Sequence, residues 1–425
     1  MQYILYPPKN ISFNAALPAS KSISNRALAI NALTGNTMHP DNLSRCDDTD
    51  VMVDALRDMP YEINIKAAGT AMRFLTALLC TRDGEHVITG TERMRHRPIG
   101  VLVDALRKLG ADIEYTGEEG FPPLRIRGKQ LEGGKLEIPG NISSQYISAL
   151  LMAAPKMTRG LELRMTGTVF SRPYIDLTVC TMREFGAEIE WADASTIRVE
   201  PKQYTPTKFF VENDWSAASY WYEVIALMSH TCADADADMR IDLDGLMDGS
   251  RQGDSAVRYI FSLLGVKTEF ESREALTPTH VTLIPHHRRM PRLDYDFTGQ
   301  PDLAQTIVVT AALLGVPFTF SGLYTLRIKE TDRITALKKE MAKLGYVIGD
   351  SVEGTLSWDG TRCEPMTEPV IDTYEDHRMV MAFAPAAIMI PGLRINNPGV
   401  VTKSYPDFWQ QLAACGFNIE ENPAS

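Results

Sequence analysis

The sequence predicts an α/β protein assembled from one repeated helix-to-strand unit, and three observations carry that expectation. A helix that ends at a glycine or turn and runs into a short strand recurs six times, as DALRDMPYEINI (54–65), DALRKLGADIEY (104–115), CTMREFGAEIEW (180–191), IFSLLGVKTEF (260–270), KEMAKLGYVIG (339–349) and QQLAACGFNIE (410–420). Gly110, Gly186, Gly265, Gly345 and Gly416 mark the same point in five of them, at a spacing too long for a solenoid and suited to a small α/β unit. Each helix thereby gains a residue tolerant of left-handed backbone at its end, followed by an alternating or apolar run. With 425 residues, 44% of them hydrophobic and 23% charged, the chain is long enough for two substantial cores.

The elements justify themselves in order. After a single expected strand, Pro18-Ala19-Ser20-Lys21-Ser22-Ile23-Ser24-Asn25-Arg26 opens a helix with Ser20 at the N-cap. Ile23, Ala27, Ile30 and Leu33 recur at helical period, and Gly35 stands where the helix should stop. Lys21 and Ser22 then share a helix N-terminus with free backbone N–H groups, a cradle for phosphate or carboxylate. Gly69-Thr70 opens a helix through Met72, Leu75 and Leu79, with Arg73 one turn in. Arg97-Pro98 and Arg172-Pro173 are expected to open two more, with proline in the first position. Ser143 and Ser144 start a helix with the face Ile147, Leu150, Leu151 and Ala154, which Pro155 stops. Asp302, Thr331 and Asp376 are candidate caps or first-turn residues of others. Parallel packing of such helices turns many N-termini to one side and makes that side attractive to anions.

Charge and composition narrow the function. The formal net charge is −11, which argues against nonspecific nucleic-acid binding and requires any anionic ligand to be held by a local basic pocket. Cys46, Cys80, Cys180, Cys232, Cys363 and Cys415 form no CxxC pair, which fits a reducing compartment and speaks against zinc. No signal-like start and no long uncharged apolar stretch is evident, so a cytoplasmic protein without membrane contact is expected. The acidic stretch from His230 to Gly253 reads as a solvated loop and strand, with no metal site expected.

The strings KSISNRA (21–27), GTAMR (69–73), RHRPIG (95–100), SSQY (143–146), SRPY (171–174), PDLAQT (301–306), RIKETDR (327–333), DHRM (376–379) and TKSYPDF (402–408) resemble, in order, those of the 5-enolpyruvylshikimate-3-phosphate synthase family. The resemblance implies an inside-out α/β barrel fold of two similar domains, each of three βαβαββ repeats around parallel helices. Domain I would comprise 1–20 and 213–425, domain II 21–212, with the active site in the cleft between them. It further implies transfer of the enolpyruvyl group of phosphoenolpyruvate to the 5-hydroxyl of shikimate 3-phosphate, with release of phosphate and without metal or organic cofactor. A monomer acting on these two small molecules is expected.

By the same resemblance, Lys21, Gly69, Arg97, Gln145, Arg333, Arg378 and Lys403 should surround phosphoenolpyruvate, where guanidinium groups suit bidentate anion contacts. Shikimate 3-phosphate should meet Lys21, Ser22, Arg26, Ser143, Ser144, Gln145, Ser171, Tyr174, Asp302, Thr325 and Lys329. Asp302 would take the 5-hydroxyl proton, and Glu330 and Lys21 are the candidates for proton exchange at the methylene carbon. Departures from the family pattern fall at Ala67, where Asn is common, at Phe74, where Pro is common, and at Thr325 in place of Asn. Phe74 implies reduced sensitivity to the phosphonate glyphosate, which in this family competes with phosphoenolpyruvate. Two rival functions fit the sequence less well. The sister enzyme acting on UDP-N-acetylglucosamine generally carries a reactive Cys five residues before the Arg-Pro, where this chain has Glu92. A noncatalytic phosphate-binding repeat scaffold would leave Asp302 and Glu330 without a task.

Overall fold

Short strands and helices alternate along the chain in a computed structural model that describes residues 1–35, 39–232, 239–286 and 288–423. Two compact units result, Ala19–Val211 and the pair Met1–Pro18 with Glu212–Ser425. The N-terminal strands β1 (Gln2–Tyr6) and β2 (Ser12–Ala15) belong to the second of these.

In the unit Ala19–Val211, α1 (Lys21–Thr34) and α2 (Asp47–Asp58) come first. A βαβαββ repeat follows: β3 (Glu62–Asn64), α3 (Gly69–Cys80), β4 (Gly84–Thr89), the short α4 (Glu92–Arg95), α5 (Gly100–Lys108), β5 (Asp112–Tyr115) and β6 (Leu124–Gly128). The next comprises β7 (Gly134–Pro139), α6 (Ser144–Ala153), β8 (Leu161–Thr166), α7 (Arg172–Glu184), β9 (Ile189–Trp191) and β10 (Thr196–Val199). Their sheets run β3-β4-β6-β5 and β7-β8-β10-β9, in each case one parallel pair joined through a helix and then antiparallel pairs. The segment 54–65 leads α2 into β3, which pairs with β4 of the following repeat. Around α1 and α2, among the described residues, the sheet is reduced to a single parallel bridge between Asp41 and Phe210, beside the residue at which the chain leaves the unit.

The other unit holds three repeats. The first is α8 (Trp215–Thr231), β11 (Arg240–Leu246), α9 (Val257–Leu263), β12 (Val266–Phe270) and β13 (Thr279–Pro285), with β2 as its parallel edge strand. The second is β14 (Leu293–Asp296), α10 (Ala304–Leu313), β15 (Phe318–Ser321), α11 (Arg333–Lys343) and β16 (Leu356–Trp358). There the strand expected after Gly345 shrinks to isolated bridges, Tyr346 to Arg362 and Gly349 to Ser357. The third is β17 (Val370–Ile371), α12 (His377–Phe383), β18 (Leu393–Asn396), α13 (Phe408–Ala414) and β19 (Asn418–Asn422), and β1 completes its sheet between β18 and β19. This pairing explains why the first residues fold with the last.

Each unit has its own hydrophobic core. The inner helices are buried on all sides: α10 buries Ile307, Val308 and Val309 in succession, and α8 buries Trp215, Tyr220, Trp221 and Tyr222. Ser20 caps α1 by accepting from Ile23 N at 3.4 Å, and Gly35 ends it at φ 78°. Two expected helix starts shift. Pro98 precedes α5, which begins at Gly100, and Asp332 rather than Thr331 caps α11, accepting from Thr335 N at 3.1 Å. No described helix is long and apolar enough to cross a membrane. Of the acidic stretch, 233–238 lie outside the described residues; beyond them Asp242 accepts from Arg240 and Thr282, and Asp248 pairs with Arg258.

Candidate active site

Polar residues of the unit Ala19–Val211 gather at the starts of α1, α3, α6 and α7. Lys21 opens α1 and holds Asp48 Oδ2 at 3.1 Å. One turn on, Arg26 is 3% exposed and ties three helices together: Nε donates to Thr178 Oγ1 at 2.7 Å, Nη1 to the Ser22 carbonyl at 2.8 Å, and Nη2 to Ser148 Oγ and the Tyr174 carbonyl, both at 3.2 Å. Its guanidinium also lies 5.5 Å from the centroid of the Phe74 ring. Burial pushes the Arg26 group down to about 10, because its acceptors are neutral and do not repay the lost hydration. Arg26 thus already has internal partners, and it orders Ser22 and Tyr174, both assigned by resemblance to the same substrate.

Gly69 starts α3 against two guanidiniums; a Cβ there would stand 2.7 Å from Arg97 Nη1 and 2.9 Å from Arg73 Nη1. Arg73 donates to the Gly69 carbonyl at 2.9 Å and to the Pro98 carbonyl at 3.4 Å, and Tyr146 donates to that same Pro98 carbonyl at 2.5 Å. Arg73 and Tyr146 therefore fix the backbone next to Arg97. Gln145 donates to Thr70 Oγ1 at 3.1 Å, and Ser143 caps α6 by accepting from Gln145 N at 3.4 Å. Ser144 is buried in the first turn, and Ser171 is buried ahead of α7 in left-handed backbone, φ 53°.

In the other unit, carboxylates and cations interlock. Asp302 Oδ1 is 3.0 Å from Arg333 Nη1 and 3.3 Å from Lys329 Nζ, and its Oδ2 is 3.2 Å from Arg378 Nη2. Arg333 is 1% exposed and reaches Asp376 Oδ2 at 2.6 Å and Glu330 Oε2 at 2.8 Å. Burial would raise the Asp302 carboxyl, but Arg378, Lys329 and Arg333 outweigh it and hold the group well below the usual carboxylate range. Asp376 caps α12, accepting from Arg378 N at 2.9 Å, after a turn in which Tyr374 and Glu375 both take positive φ. Lys403 Nζ donates to the Glu375 carbonyl at 2.9 Å. Thr325 is 8% exposed, and its hydroxyl finds no hydrogen-bond partner among the described residues.

Each unit thus presents its own anion-attracting set, with Lys21, Arg26 and Arg97 in one and Lys329, Arg333, Arg378 and Lys403 in the other. Among the described residues no cluster of His, Cys, Asp or Glu could hold a metal ion. The family model of EPSP synthase (3-phosphoshikimate 1-carboxyvinyltransferase) matches residues 59–412. The chain belongs to the EPSP synthase family. A 3-phosphoshikimate 1-carboxyvinyltransferase of Bacteroides fragilis is 55% identical over 420 residues, covering 99% of each chain. One from Aliivibrio fischeri is 36% identical over 436 residues, covering 96% of this chain and 98% of its own. The solved EPSP synthase of Acinetobacter baumannii superposes with a TM-score of 0.79 at 22% identity, covering 99% of this chain and all of that one, a likeness of fold.

Sequence reasoning missed several EPSP synthase residues that support this arrangement. Arg73 and Tyr146 lie inside the quoted strings yet received no binding or positioning role, whereas Asp376, expected as a cap or first-turn residue, does cap α12. Ser148 and Thr178 follow Ser144 and Tyr174 by one helical turn, a spacing that places them on the same face. Asp48, Ser216 and Asp254 gave no local signal, because their partners are remote in sequence.

Proposed function

We propose that these two sets of residues together carry out the family's reaction, transfer of the enolpyruvyl group of phosphoenolpyruvate to the 5-hydroxyl of shikimate 3-phosphate with release of phosphate, a step of the shikimate pathway to chorismate and the aromatic amino acids. The observation that carries the assignment of roles is the state of Asp302. It is a buried carboxylate whose oxygens lie 3.0 Å from Arg333, 3.3 Å from Lys329 and 3.2 Å from Arg378, among cations assigned to both substrates. These keep it ionised and able to accept a hydroxyl proton but also make it a weak base, so proton transfer must accompany attack on phosphoenolpyruvate.

In this reading the 5-hydroxyl oxygen attacks C2 of phosphoenolpyruvate as its proton passes to Asp302. A proton is added to the methylene carbon from Glu330 or Lys21, giving a tetrahedral intermediate. Loss of a proton from that carbon then expels phosphate and restores the double bond. Arg97, Arg333, Arg378, Lys403, Lys21, Gln145 and the backbone at Gly69 hold the carboxylate and phosphate of phosphoenolpyruvate while charge develops. Ser22, Arg26, Ser143, Ser144, Ser171, Tyr174, Thr325 and Lys329 hold shikimate 3-phosphate. Two observations support that half: Thr325 keeps a buried hydroxyl without a partner among the described residues, and Arg26 is a buried cation among neutral acceptors, to which an anion adds a favourable charge. Phosphate release with phosphoenolpyruvate plus shikimate 3-phosphate, and none with UDP-N-acetylglucosamine as acceptor, tests the reading. We further propose a cytoplasmic monomer, to be checked by a solution mass equal to one chain. The six free cysteines suit a reducing compartment.

A further inference from the structure

Outside the residues assigned so far, one buried cluster stands behind Arg378. Asp214 caps α8 by accepting from Ser216 N at 2.9 Å, and this turn aims the Ser216 hydroxyl at two partners. It donates to Asp254 and accepts from Arg378 Nη2 at 3.4 Å. The same Nη2 donates to Asp302 Oδ2 at 3.2 Å. Asp254 is 3% exposed and follows Gln252, whose side chain is locked between Trp215 N, Glu212 and the Asn213 carbonyl. Two carboxyl groups therefore reach one guanidinium, Asp302 directly and Asp254 through a hydroxyl. Their environments separate them. Burial, and then the negative charge of Asp302, push Asp254 up to about 6, whereas the cations hold Asp302 far below the usual range.

We propose that Asp254 is a positioning residue for enolpyruvyl transfer: through Ser216 it orients the Arg378 guanidinium toward the anionic groups of phosphoenolpyruvate. This rests on the proposed function above. A serine hydroxyl has one proton to give. When Asp254 accepts that hydrogen bond, the oxygen lone pairs face Arg378 and hold its Nη2; without an acceptor at position 254 the hydroxyl rotates and Arg378 loses the contact with Ser216. An amide oxygen at position 254 can also accept from Ser216, so Asp254→Asn keeps the arrangement and Asp254→Ala does not.

The test is steady-state kinetics of the full chain with both substrates, together with calorimetric titration by phosphoenolpyruvate. Asp254→Ala and Ser216→Ala should each raise KM for phosphoenolpyruvate roughly tenfold, the scale of one charge-assisted hydrogen bond, and leave KM for shikimate 3-phosphate within about twofold of wild type. Asp254→Asn should restore most of the loss. Equal changes for both substrates, an unchanged KM for phosphoenolpyruvate, or an Asp254→Asn protein as impaired as Asp254→Ala would each overturn the proposal. Ser216→Ala removes a single oxygen and keeps the test decisive if Asp254→Ala does not fold. A wild-type protein that releases no phosphate would refute the proposed function instead, and the calorimetric comparison would still judge the positioning.

Discussion

Gly69 shows how little room lies at the start of α3. A methyl group there would meet the ends of Arg97 and Arg73 at 2.7 and 2.9 Å, and both side chains are long enough to give way while the helix stays intact. Gly69→Ala should therefore raise KM for phosphoenolpyruvate about tenfold by displacing Arg97, with thermal stability near wild type because alanine favours helix. A variant that loses stability and keeps its KM would show that the glycine serves folding alone. Asp302 supports a second prediction. Its folded pKa is depressed, so its stabilising contribution is present above the unfolded value of about 4 and is lost as pH falls toward the folded value. Asp302→Asn should be nearly inactive and less stable than wild type at neutral pH, and the stability gap should narrow below about pH 4; a gap independent of pH in thermal melts would contradict this. Much of this chemistry was legible from sequence, since Lys21, Asp302 and Arg333 sit in short strings of distinctive chemistry. The burial of Arg26 was not, because its partners Ser148 and Thr178 come from helices far along the chain.

At the level of elements, α3 couples a core residue to the anion-binding edge. Phe74 is 1% exposed on the same helix that begins at Gly69, and its ring lies under Arg26. A change of volume at position 74 must be absorbed by moving α3 or its neighbours, since interiors are close-packed. If the ring sets Gly69 slightly nearer Arg97, the longer glyphosate is excluded more than phosphoenolpyruvate, and Phe74→Pro should be inhibited more strongly by glyphosate than the natural protein. Proline inside the helix also removes a backbone donor, so Phe74→Leu, which keeps the helix bonds, is the companion measurement. If neither variant gains sensitivity, Phe74 acts only as packing. The helix-to-strand rhythm was readable because glycine terminators and alternating strands are local signals. Two departures were not: after 54–65 the strand joins the next repeat's sheet, and after Gly345 it shrinks to bridges. Pairing partners are chosen by tertiary contact, which short segments do not encode.

At the scale of the whole molecule, an acidic chain of net charge −11 carries a set of candidate anion-binding cations in each unit. Lys21 and Arg97 lie in Ala19–Val211, whereas Lys329, Arg333, Arg378 and Lys403 lie in the unit formed by Met1–Pro18 and Glu212–Ser425. Under the proposed function both sets serve one pair of substrates, each of which carries a carboxylate and a phosphate. Like charges disfavour the approach of the two sets when no anion is present, and a ligand bearing negative charge for both favours the state in which both reach it. The chain passes from one unit to the other at Pro18–Ala19 and at Val211–Glu212. Saturating shikimate 3-phosphate should therefore lower the radius of gyration measured by small-angle scattering, and raised salt should weaken the ligand's effect by screening the charges that drive it. The same radius with and without both substrates would mean that the cations are held in their working arrangement before any ligand arrives.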